Sequence, residues 1–422
     1  MTTRRLPVRP RHAAIERQAS ELFEAILAGQ QEARAEFARH APDHDGGGVT
    51  LDDARLVVAR AHQAADWARL VDAVRLSEAI WDDDLEALGT LLDRRPALLH
   101  EPVLIRRDSN WGPPMSYAAN LGRDRLIRLL RARGATDLES ALGRAALQGQ
   151  VATAELLYDM AGRPAVPDDA LGGPAYTLNT EGTAVMLRFG AKVVDDAGRR
   201  LAPVDVVLQT DSRSPAAKHA ILDLYERHGL VYPDTPVMAL HRGRLDLLAE
   251  HVDRDPSLLS RRFTHREIYP SEMGCGDPLD ATVGTPLDGT TLLHMCVEYD
   301  ELEIARWLLD RGMDVNLRSV VGRSGFGGHT ALFHAVVSQP NFWMNHGNRG
   351  PFVAPFAELL LERGADPNVR ASLWKRLHPG HGDPARHDYR DVTALSWGRR
   401  FHAPIFVSEP ALRLIEAAGG IE

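Results

Sequence analysis

The chain has 422 residues, 44% hydrophobic and 25% charged, with a formal net charge of -9 and two cysteines. That balance belongs to a folded chain of two or three ordinary domains and excludes a disordered tail, while the negative charge argues against a nucleic-acid surface, which needs clustered positive charge. Cys275 and Cys296 offer at most one disulfide, so a reducing, cytoplasmic setting is expected, and no run of eighteen apolar residues is present to span a membrane.

The first element is the charged amphipathic stretch RHAAIERQASELFEAILAG, residues 11–29, which lacks the apolar core of a signal peptide. LDDARLVVARAHQAADWARLVDAV, residues 51–74, predicts further helix, and residues 1–76 are expected to form an N-terminal helical cap. From Ser77 onward a repeat takes over. Asp82, Asp83 and Asp84 precede LEALGTLL, where a helix N-cap explains them better than a divalent-cation site. An apolar nine-residue run closing on glycine then recurs at 126–134, 182–190, 221–229, 304–312, 356–364 and 411–419. Shorter helices with a threonine or proline entry stand upstream of several copies, as in GPPMSYAANLG, GTTLLHMCV, GHTALFHAVV and DVTALSWG. Degenerate copies at 77–96, 140–160 and 236–252 bring the number to about nine helix pairs. The expected boundaries are 77–260 for degenerate repeats and 261–422 for well-formed ones carrying long insertions.

In the best copy, Gly289 to Asn316, Thr291–Val297 and Leu302–Leu309 read as two short helices. Asp300 stands where it can cap the second with Glu303 three residues on, and Gly312 where a left-handed C-terminal residue is wanted. Glu298, Asp300, Glu301 and Glu303 read as charge around a helix start, and Trp307 as packing.

GTTLLHMCVEYDELEIARWLLDRGMDVN, and GHTALFHAVV followed by FAELLLERGADPNVRA, resemble the ankyrin repeat. Thr291, Leu293, His294, Glu303, Ile304, Leu308, Leu309, Gly312, Asp314, Val315 and Asn316 match its pattern; Leu292, Cys296, Asp300 and Met313 depart from it, and Phe333 and Ser396 replace the histidine in later copies. The likeness is strong over 289–371, moderate over 111–161 and 392–420, and weak between. It implies an all-α solenoid of helix pairs, a bacterial protein-binding module, and a His294 that hydrogen-bonds within and between turns of the stack. One pair alone buries too little apolar area to offset its ordering entropy, so neighbours supply the core.

The array is interrupted where function is expected. About twelve residues join a closing glycine to the next threonine in the family pattern, yet Gly312 to Thr330 is 18 and Gly364 to Thr393 is 29. Three finger loops result, 261–288, 318–329 and 370–391, and a further insertion, 337–355, separates the helices of one repeat. Aromatic and arginine residues supply interface hot spots. Phe263, Tyr269, Phe326, Trp374 and Tyr389 are the expected apolar anchors, with Arg262, Arg266, Arg376 and His329 as polar contacts. The loop holding His378, His381 and His387 reads as solvent-facing, without a hairpin frame and without metal, and GFGGH, residues 325–329, lacks the lysine of a phosphate loop. The expected molecule is a monomeric, non-enzymatic module that binds a protein partner through the finger loops and the concave face of the solenoid, with no cofactor, no nucleic acid and no membrane. Three alternatives stay open: insertions that pack on each other and only cover the stack, an enzyme or small-molecule binder with its site among the elongated loops, and a self-associating scaffold built on the degenerate repeats around 162–235.

Overall fold

A computed structural model describes residues 4–42, 44, 47–105, 109–210, 213–276, 284–339, 353–378 and 382–422. The chain forms two compact units, Met1–Ala165 and Val166–Glu422.

In the first unit α1 (His12–Leu27), α2 (Gln31–His40) and α3 (Leu51–Ala61) form a small bundle, in which Ile15, Ala19, Leu22 and Ile26 of α1 are buried against α3. Thr50 and Asp53 start α3 with a reciprocal capping box. Three helix pairs follow: α4 (Trp67–Trp81) with α5 (Leu85–Arg94), α6 (Pro114–Asn120) with α7 (Asp124–Ala132), and α8 (Leu138–Leu147) with α9 (Val151–Met160). Asp84 caps α5 through the Ala87 amide at 2.9 Å. α4 runs unbroken through residue 76, where a boundary was expected. Tyr117 on α6 ties the first two pairs, its hydroxyl accepting from Trp81 Nε1 at 2.8 Å.

The second unit holds six more pairs: α10 (Gly172–Tyr176) with α11 (Thr180–Arg188), α12 (Val204–Gln209) with α13 (Pro215–Arg227), and α14 (Pro236–His241) with α15 (Leu245–Arg254). After the short α16 (His265–Ile268) come α17 (Leu292–Tyr299) with α18 (Leu302–Asp310), α19 (Ala331–Val336) with α20 (Pro355–Glu362), and α21 (Ala394–Arg400) with α22 (Glu409–Ala417). Among the described residues that makes nine pairs, the number the repeats imply. Gly134, Gly190, Gly229, Gly312, Gly364 and Gly419, the six glycines that close the apolar runs, all have φ between 84° and 102°. Any side chain is disfavoured there, and glycine lets the helix stop on a left-handed residue.

Asparagines stitch successive repeats. Asn316 donates to Gly364 O at 3.0 Å and accepts from the Asp366 amide at 2.8 Å; Asn368 repeats this one pair later, to Gly419 O at 3.1 Å and from the Ile421 amide at 2.9 Å.

Two local expectations need correction. Asp300 is not the cap of α18: it is the left-handed terminus of α17 with φ 66°, and α18 starts after Glu301 with no side-chain cap. The first amide of α18, that of Leu302, bonds the Asp300 main-chain carbonyl instead, at 3.1 Å. The 370–391 loop does have a hairpin frame. β1 (Ala371–Lys375) pairs antiparallel with β2 (His387–Val392), Trp374 opposite Asp388 and Leu373 opposite Tyr389, with an irregularity between Ala371 and Leu373. The remainder is helical pairs and their connections. The 337–355 insertion lies mostly outside the described residues, as does His381.

Candidate functional site

The three finger loops join edge to edge. The Phe263 amide donates to Thr290 O at 2.7 Å, and its carbonyl accepts from the Gly289 amide at 2.9 Å. The Val320 amide continues the row to Gly289 O at 2.9 Å. Within the second finger, Ser319 donates to His329 O and Gly322 to Phe326 O, each at 2.8 Å. Gly327 then exchanges both main-chain bonds with Ser372 of β1, at 2.6 and 3.2 Å. A Cβ on Gly327 would sit 2.0 Å from Val320 O, so only glycine permits this crossing. β2 closes the row as its outer strand.

The sequence-predicted residues divide sharply by exposure. Phe263, Tyr269, Phe326, His329 and Tyr389 retain 2%, 3%, 8%, 2% and 5% of their surface, too little to anchor a partner, and their side chains serve the protein's own packing. Tyr269 bonds the Tyr299 hydroxyl. His329 bonds Ser319 Oγ at 2.9 Å and Pro286 O at 3.0 Å. The Tyr389 hydroxyl meets His402 Nδ1 at 2.6 Å, and its ring lies edge-on to Trp397 at 4.7 Å. Tyr269 and Tyr389 fasten their fingers to the helices, because a loop this long must bury apolar surface of its own to hold one conformation. Arg262, Arg266 and Arg376 are exposed and Trp374 is half-buried. Arg262 is spent partly on cross-linking, donating to Arg318 O at 3.0 Å and to Ser260 O at 2.7 Å.

What faces outward on the hairpin is an arginine and aromatic surface that loop composition alone had not singled out. The Arg386 guanidinium lies 4.8 Å from the Trp374 ring centre and 5.2 Å from that of Phe326, while Arg390 lies 3.7 Å from Phe326 on its other approach. Arg386 also bonds Asp388 at 2.8 Å. The signal in the sequence was the period-two alternation of ASLWK and HDYRDV: Leu373, Lys375 and Tyr389 turn inward, Trp374, Asp388 and Arg390 outward.

Behind the fingers lies a buried polar core. His294 does what the ankyrin resemblance implies: Nδ1 faces Thr291 Oγ1 at 2.9 Å, and Nε2 reaches His329 O in the next turn at 3.2 Å. Burial, then the neighbouring His334 ring, lowers its pKa to about 3, so it stays neutral. Glu298, with no exposed surface, accepts from the Gly284 amide at 3.2 Å and the Gln339 amide at 3.1 Å, and faces His334 at 3.4 Å. Glu301 receives Lys218 Nζ at 2.7 Å and His219 Nε2 at 2.8 Å. Glu298 and Glu301 are therefore interior groups, correcting their reading as a charged helix start. Burial pushes the Cys275 thiol up to about 12 and Cys296 well above its ordinary value, so neither is a ready nucleophile. Among the described residues no three His, Cys, Asp or Glu side chains converge as a metal site. Nor is any described helix long and apolar enough to cross a membrane.

Comparison with known proteins meets this geometry in one repeat. Residues 288–320 match the ankyrin repeat family. That stretch holds α17, α18 and the first three residues of the second finger. No curated protein is a significant match to the chain. Among solved structures, the human ASB11 ankyrin repeat domain is 15% identical at a TM-score of 0.27, covering 73% of this chain and 99% of that one. The ankyrin repeat domain of Bcl-3, a member of the IkappaB protein family, is 16% identical at 0.23, covering 65% and 97%.

Proposed function

We propose that this protein is a protein-binding module whose partner seats on the joined finger loops of the second unit. The observation that carries the reading is the continuous main-chain row from Phe263 to β2, which holds three separate insertions in one fixed surface. A preorganised surface loses little ordering entropy on binding. On it Trp374, Arg376, Arg386 and Arg390 remain for a partner, and Arg262 and Arg266 extend it toward the first finger. The buried thiols and neutral interior histidines favour a non-enzymatic role. Two free cysteines suit a reducing, cytoplasmic setting, and the monomer expected from sequence is kept. A photo-crosslinking amino acid at position 376, compared with one at position 128 on the exposed side of α7, tests the reading in extract of the source cell. Crosslinks to one protein from position 376 alone are expected. Equal labelling from both positions, or labelling only from position 128, would place binding off the fingers.

A further inference from the structure

The second and third fingers carry a charge opposite to that of the chain. Residues 318–329 and 370–391 together hold seven Arg and Lys against three Asp, a balance of +4 within a chain of -9. Two of the three aspartates are already paired with arginines of these fingers, and Asp388 also lies 3.9 Å from Arg390. Asp388 is neutralised by Arg386, and Asp391 by Arg370 at 3.2 Å, while Asp383 faces His387 at 3.0 Å. Among the described residues Arg323 and Arg376 are exposed and meet no carboxylate.

Beside this surface lies an open strand edge. β1 is hydrogen-bonded on both sides, to Gly327 and to β2, but among the described residues no main-chain atom of 387–390 bonds any segment other than β1. A strand of that kind is a template for one more strand. Its four open residues, 387–390, span about 13 Å, the reach of a short extended segment. Main-chain bonds along the edge would give affinity, and side chains on the outward face would meet Trp374, Arg386 and Arg390.

We infer that β2 accepts an acidic, extended polypeptide segment as an added strand, its carboxylates paired with the arginines that flank the edge. This rests on the proposed binding role of the fingers and names the chemistry of the partner. Charge complementarity selects the occupant: basic or neutral strands would meet the same open edge without the ion pairs. Arg386 and Arg390 are already oriented by their stacking on Phe326 and Trp374, so little freedom is lost when they bind carboxylates.

The test uses the full chain and a fluorescein-labelled twelve-residue peptide alternating Asp and Val, read by anisotropy. Binding is expected, weakened by about tenfold or more for the same peptide N-methylated at every second residue, which keeps the charge but cannot pair along an edge. The R386E/R390E variant is expected to lose it to a similar extent, with its melting curve checked against the parent. Equal binding of a Lys and Val peptide, undiminished binding of the N-methylated peptide, or preference for a uridine oligonucleotide over the acidic peptide would overturn the inference, as would no binding at all. Crosslinking from position 376 without competition by the peptide would sink this inference alone. Loss of finger-specific crosslinking would sink the binding reading beneath it.

Discussion

Lys218, His219 and Glu301 give the sharpest test of the buried polar core. Lys218 and Glu301 retain 4% and 5% of their side-chain surface, and their charged atoms lie 2.7 Å apart. The Lys218 ammonium also lies 4.7 Å from the Tyr299 ring centre, beside Arg213 at 5.1 Å. Removing one partner of a buried pair costs about 3 to 5 kcal/mol because the other charge is stranded. The two single variants should not be equal. In Lys218→Met, Glu301 keeps His219 at 2.8 Å, so the loss belongs near the lower end, about 3 kcal/mol. In Glu301→Gln, Lys218 is left with Arg213 for company, and the loss belongs nearer about 5 kcal/mol. The double variant should cost less than Glu301→Gln alone, since no stranded ammonium remains. Urea unfolding followed by circular dichroism measures all three. Additive losses below about 1 kcal/mol apiece would mean that the pair is hydrated rather than buried, as exposed ion pairs are.

The packing frame, the acid response and the hairpin give further expected outcomes. Leu308, with no exposed surface, should cost about 2 to 5 kcal/mol on truncation to alanine in the same unfolding assay, and Leu309, at 8% exposed, should cost less. Burial lowers His241 and His294 to about 3 and His329 well below its ordinary value. A folded pKa below the unfolded one means stability present above pH ~6.5 and lost as pH falls toward the folded value, by about 1.4 kcal/mol per pH unit for each histidine. Glu301 adds to the same trend at lower pH. Burial acts to raise its pKa, but Lys218 and His219 outweigh this and hold it below the ordinary carboxylate range, so its contribution is lost as pH falls through that lowered value. Denaturant midpoints that stay flat from pH 7 to pH 5 would contradict neutral buried imidazoles. Replacing residues 374–389 with a short turn should lower the melting temperature, because Tyr389 leaves Trp397 and Phe401 without their cover; an unchanged melt would show the hairpin to be separable from the helices.

The repeat frame was legible in the sequence because its signals are local. Leucines three and four apart, six glycines at run ends and threonine entries each act within a few residues, and each stands where its spacing placed it. His294 was legible through its fixed distance from Thr291. The hairpin was half-legible: ASLWK and HDYRDV alternate, but proline and glycine between them masked a pairing that closes over eleven residues.

Sequence alone determined that the chain builds helix pairs and where the insertions leave them. Which side of an insertion faces water was decided only by tertiary structure. Phe263, Tyr269, Phe326 and Tyr389 look like surface anchors among loop residues, yet each is buried in the protein's own packing. Lys218 and Glu301 lie in different repeats and carry no local mark of meeting, and Glu298 reads as a solvated helix residue until Gly284 and Gln339 close over it. Helix and turn propensities follow from neighbours along the chain. Burial, ion pairing and the exposure of Arg386 and Arg390 follow from neighbours in space, which periodicity does not encode.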